Sequence, residues 1–152
     1  MSFLPGMFPA GVASGSAFPR VMAVATTSDN TVANDHALNM PSGIVSGELL
    51  LVIMNGAGVN QTPSGWSKML ENTGISAGEL AIYTRTADGA EGATVTFNFQ
   101  SGATAPAAAV AYRISGWSGV EGAIGSAVAA NPDPPSHTAS WGAAKTLWVA
   151  AC

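Results

Sequence analysis

The chain has 152 residues, of which 47% are hydrophobic and only 9% charged, with a net charge of −4. That length fits one domain able to bury its own core. So little charge, against about 25% in an ordinary domain, gives weak repulsion between copies and suits a subunit covered by neighbours. The basic residues Arg20, Lys68, Arg85, Arg113 and Lys145 are scattered, which excludes a basic stripe for nucleic acid. The single cysteine, Cys152, excludes an internal disulfide. The longest strongly apolar run, 49–54, is far short of the ~20 residues of a membrane-spanning helix.

Residues 1–19 carry the apolar anchors Phe3, Leu4, Met7 and Phe8 among Pro5, Gly6, Pro9, Gly11 and Gly15. Proline fixes φ and glycine frees it, so this segment reads as an extended arm, not a helix or strand. It is not expected to be a signal peptide, because no basic residue precedes it and Pro5 and Pro9 interrupt its apolar part. Its anchors fold back on their own domain or dock on a partner subunit.

From Arg20 to 152 the pattern is that of a β domain. "RVMAVATT" is an apolar, β-branched run that could be buried on both faces. "HALNM" alternates, with His36, Leu38 and Met40 on one side. "ELLLVIMN" is a continuous apolar run whose length and flanking Gly47 and Gly56 argue for a strand. Gly65 ends a turn and Trp66 begins the next strand; "LAIYTR" follows. "TVTFNF" sets Val95, Phe97 and Phe99 on one face and Thr94, Thr96 and Asn98 on the other. "AAAVAYRI" is a further strand, "AIGSAV" a weak one. "TLWVAAC" reads as an apolar strand without a closing turn, so the polypeptide is expected to continue or a partner to cover that edge. Short strands separated by Gly, Pro and Asn turns, with no long 3.6-residue period, predict an all-β antiparallel sandwich, jelly-roll or immunoglobulin-like Greek key.

Chemistry-bearing motifs are weak. "VIMNGAGVNQ" has two spaced glycines after a strand, but Gln61 replaces the third and Pro63 forbids the helix a dinucleotide site needs. His36 lies in an alternating strand and His137 in a proline-rich loop, with no nucleophile elbow to match. Two distant histidines and one cysteine make no metal cluster, so neither a metal nor another cofactor is expected. Glu71, Glu79, Asp88, Glu91 and Glu121 fall mostly at strand ends and turns, where solvated carboxylates are ordinary. Among the tryptophans, Trp66 and Trp148 read as core, while Trp117 in "SGWSG" is the best exposed platform for a glycan.

The segments "MPSGIVSGELLLVIM", "TPSGWSKML", "GELAIYTRTADGAEGATVTFNF", "AAAVAYRISGW" and "KTLWVAAC", in that order, resemble a β-sandwich module of bacteriophage virion proteins. Tail-fibre and head-fibre proteins carry it, as do some bacterial surface proteins. The matching positions are 41–54, 63–70, 80–99 and 107–114, within a resemblance that covers roughly 20–152. It implies a core scaffold of Trp66, Leu80, Ile82, Val95 and Phe97. It further implies a non-enzymatic structural subunit (fibre, spike or decoration) on the exterior of a phage particle. Its partners would be other virion proteins, bound through the arm, and further copies of itself, with a trimer favoured. The alternative is a glycan-binding module for host-surface attachment.

Overall fold

The computed structural model describes residues 18–58, 61–72, 78–99, 104–124, 136–142 and 144–151. These contain seven strands and no helix: β1 (Arg20–Ala33), β2 (Asp35–Asn39), β3 (Leu49–Gly56), β4 (Ser67–Asn72), β5 (Glu79–Thr86), β6 (Thr94–Asn98) and β7 (Ala105–Ser115). A five-stranded sheet has the order β1-β7-β3-β5-β4, and β2 and β6 form a second, two-stranded sheet. Every pairing is antiparallel. The expectation of an all-β antiparallel protein holds.

Position in the sheet decides how each strand is buried. The central strand β3 is covered on both sides, which is why its apolar run from Leu49 to Met54 does not alternate. Leu50, Val52 and Met54 point to one face, with Ala81 and Tyr83 of β5 and Ala107, Ala109 and Ala111 of β7. The small sheet lies over this face and contributes Leu38 and Phe97 to the same core, joined by Met40, Trp66 and Phe99. The alanines of β7 leave room for the large rings: Phe97 stands edge-on to Trp66 at 5.3 Å and to Tyr83 at 5.0 Å. On the opposite face Leu49, Leu51 and Ile114 form a smaller cluster, packed by Ile82, Tyr112, Trp117, Val120 and Leu147.

Two turns explain residues that sequence alone marks only as punctuation. Trp66 N–H donates to the Pro63 carbonyl at 3.1 Å, closing a turn in which Gly65 has φ 79°. That turn aims the indole into the core. Arg113, on β7, donates through Nη1 to the carbonyls of Ser42 and Gly43 and pairs through Nε with Glu48 Oε2 at 3.0 Å. It therefore fixes the 42–48 turn that launches β3.

Four expectations need correction. β1 is not buried on both faces: it is an edge strand, and Val21, Met22 and Val24 are exposed. The "TLWVAAC" segment is not a strand in its described residues, 146–151. An apolar alternation becomes a strand only when a sheet edge pairs with it; here the segment gives Leu147 to the smaller cluster and leaves Trp148 63% exposed, outside the core. Leu80 is only half-buried and belongs to neither core cluster, because it stands across from Asn55 and Asn72. Trp66 precedes its strand rather than beginning it. Trp66 and Phe97 are buried core; Val95 and Ile82 pack against the two clusters from partly buried positions. The arm residues Phe3, Leu4, Met7 and Phe8 lie outside the described residues.

Candidate functional site

One end of the five-stranded sheet carries a polar row. Ser67 of β4 stands opposite Thr84 of β5, Thr84 stands opposite Leu51 of β3, and Thr86 stands opposite Leu49. Directly paired residues share a face, and residues two apart share it too. The three hydroxyl side chains therefore lie on the face of Leu49 and Leu51. After β7 the chain turns at Gly116, φ 69°, and Trp117 comes back over that face. Trp117 Nε1 donates to the Gly47 carbonyl at 2.9 Å, which fixes the ring. Leu49, Gly65, Ser67, Thr84, Arg85, Thr86, Trp117 and Val120 together line a cleft of about 340 Å³.

The charges around the cleft are matched. Arg85 Nη2 donates to Asp88 Oδ2 at 2.6 Å, and Arg85 Nε lies 3.3 Å from Glu91 Oε1. Glu91 also accepts from the backbone N–H groups of Asp88 at 2.6 Å and Gly89 at 3.1 Å. Asp88 is held below the usual carboxylate range, first by the Ala90 N–H and then by Arg85. Lys68, beside Ser67, lies 2.5 Å from Glu71 Oε2.

Trp117 is thus one wall of a cleft, half-buried, and not the free-standing ring its glycine-flanked position suggests. The exposed indoles are Trp141 and Trp148, at 38% and 63%. No family model, curated protein or solved structure matches this chain.

The histidines do not assemble a nucleophilic site. His36 is fully buried, with Nδ1 2.9 Å from Asp29 Oδ2, Nε2 3.2 Å from the Ala33 carbonyl, and its ring 4.6 Å from Phe99. Both nitrogens are engaged inside the fold, so neither is presented to a substrate. Asp29 is lowered to about 2, chiefly by the Thr31 N–H and next by His36. His137 lies 3.6 Å from Glu121 Oε2, and Ser140 donates to Glu121 through both its hydroxyl and its N–H. Serine, acid and histidine meet here, but the carboxylate stands between the other two. A triad needs the imidazole in the middle, where it can take the serine proton. Sequence spacing gives no sign of this cluster, because Glu121 and Ser140 are 19 positions apart in the chain. Among the described residues no group of three acidic, histidine or cysteine side chains could hold a metal.

Proposed function

We propose that this protein is a non-enzymatic structural subunit of a bacteriophage particle, a fibre, spike or decoration protein on its exterior. In this reading it is held by its N-terminal arm and associates with copies of itself, a trimer being favoured. The observation that carries the association is the β1 edge. Val21, Met22 and Val24, 40%, 49% and 51% exposed, lie on an edge strand that follows directly from the arm. Natural proteins blunt such edges with lysine, proline, inward charge, bulges or a covering element; β1 has register shifts at Val21/Ala23 and Asp29/Ala33, and Asn39 bonds Thr26 and Thr27, but residues 21–25 carry no lysine, proline or acidic side chain. A neighbouring subunit is the natural cover. The resemblance to the virion module supplies the context. A Greek-key connection is supported by the adjacency of β7 and β3, which are far apart in the chain.

Mass spectrometry of purified particles tests the assignment: the chain should be present in several copies, and its absence would end this reading. Deleting residues 2–10 should leave the β domain folded by circular dichroism and abolish incorporation. Normal incorporation of that deletion would defeat the arm's role. Glycan binding for host attachment is the second reading, and the cleft walled by Trp117 is the observation in its favour.

A further inference from the structure

The cleft has a chemistry that narrows what it can take. Three hydroxyl side chains, Ser67, Thr84 and Thr86, converge on one face of neighbouring strands, so the polar groups are set by ladder register and not by a loop. Sites on strands hold their geometry more closely than sites on loops. Trp117 adds a flat apolar wall whose N–H is already committed to Gly47, so the ring's contribution to a ligand is its face. Leu49 and Val120 extend the apolar side.

The surrounding charge disfavours two ligand classes, anionic and cationic. Arg85 reaches the cleft lining, yet its guanidinium is engaged by two carboxylates, Asp88 and Glu91, giving that group a net charge of −1. Lys68 is matched by Glu71. An anionic ligand would meet no spare positive charge and would face a local excess of negative charge. A cationic ligand would find its carboxylates already bonded to Arg85 and to backbone N–H groups. What remains is a small uncharged molecule with hydroxyl groups along one edge and an apolar C–H face on the other. Sugar rings have both, and they stack on indoles by that face.

We propose that the cleft lined by Ser67, Thr84, Thr86 and Trp117 is a subsite for a neutral saccharide unit, and not for a uronic or sialic acid. This rests on the glycan-binding reading and sharpens it. The volume of about 340 Å³ lies at the lower end of ligand sites, which suits a short stretch of a neutral glycan.

The test is a titration of the full chain, ¹⁵N-labelled, with maltotriose, cellotriose and chitotriose, and in parallel with trigalacturonate and sialyllactose. A neutral trisaccharide should shift the Ser67, Thr84 and Thr86 amides and the Trp117 indole. Thr84→Val and Ser67→Ala should each weaken that binding about tenfold, the loss of one hydrogen bond. Melting temperatures near wild type would show that these variants are folded; if Thr84→Val melts early, Ser67→Ala carries the comparison. Binding in the cleft by acidic saccharides alone would overturn the neutral class while leaving glycan recognition standing. Neutral saccharides that shift only Trp141 and Trp148 would overturn the cleft and again spare the broader reading. No response to any of the five would remove both.

Discussion

At the scale of single residues, Gly65 and Phe97 carry consequences out of proportion to their size. Gly65 sits at φ 79°, and a Cβ there would come 2.9 Å from Arg85 Nη1. Gly65→Ala should therefore destabilise by about 1–3 kcal/mol, from left-handed strain and the displaced guanidinium; chemical denaturation measures it. Phe97 is 1% exposed and touches both Trp66 and Tyr83 edge-on. Phe97→Ala should cost about 3–5 kcal/mol, the range for emptying an aromatic site in a packed core. Asp29 makes a different kind of prediction. Its folded pKa, about 2, lies below the 3.8 of a free aspartate, so its contribution to stability is present above pH 4 and is lost as pH falls through that interval toward 2. Melting temperatures should decline between pH 4 and 2, and Asp29→Asn should flatten that part of the profile. An identical slope in the variant would show that other carboxylates are responsible.

At the scale of elements, the turn after β5 is organised by one carboxylate. Glu91, its side chain fully buried, takes two backbone N–H groups and faces Arg85. Glu91→Gln keeps the shape and removes the charge, and should cost about 1.5–3 kcal/mol, the worth of hydrogen bonds to a charged group. This turn also shows what was legible in the sequence. Within the segments that carry the virion resemblance, Arg85, Asp88 and Arg113 bond turns to strands. β3, β5, β6 and β7 were readable because burial imposes its period on them directly. β1 departs from the expectation because an apolar run has the same letters whether its outer face is covered or open; only its place at the edge separates the two. The 146–151 segment departs from it for the converse reason, since a strand is a property of a pair and a sequence shows one member. In the candidate site, Trp117 was visible as an aromatic near turns. Ser67, Thr84 and Thr86 were not, because their convergence depends on the register of β4, β5 and β3.

For the whole molecule, a scarcity of charge and an open apolar edge lead to one expectation. Val24→Lys places a solvated cation in the middle of the exposed β1 face, far from the core cluster of Leu50 and Phe97. Sedimentation should show the parent chain as an oligomer and the variant shifted toward monomer, with melting of the domain little changed. A monomeric parent would contradict the association reading. The sheet order has a further consequence, for the time course of synthesis. β7 lies between β1 and β3, with Arg20 opposite Ser115 and Leu49 opposite Ile114. In a nascent chain β1 emerges before β7 and stays without that partner while the residues between Ala33 and Ala105 leave the ribosome. Folding then waits on closure of the longest loop, the situation in which all-β domains fold in milliseconds to seconds. During that wait the first strand is open to the same strand on neighbouring nascent chains. On the proposed association, contacts along β1 begin as competitors of the fold that later presents them, and β7 is the strand that decides between the two.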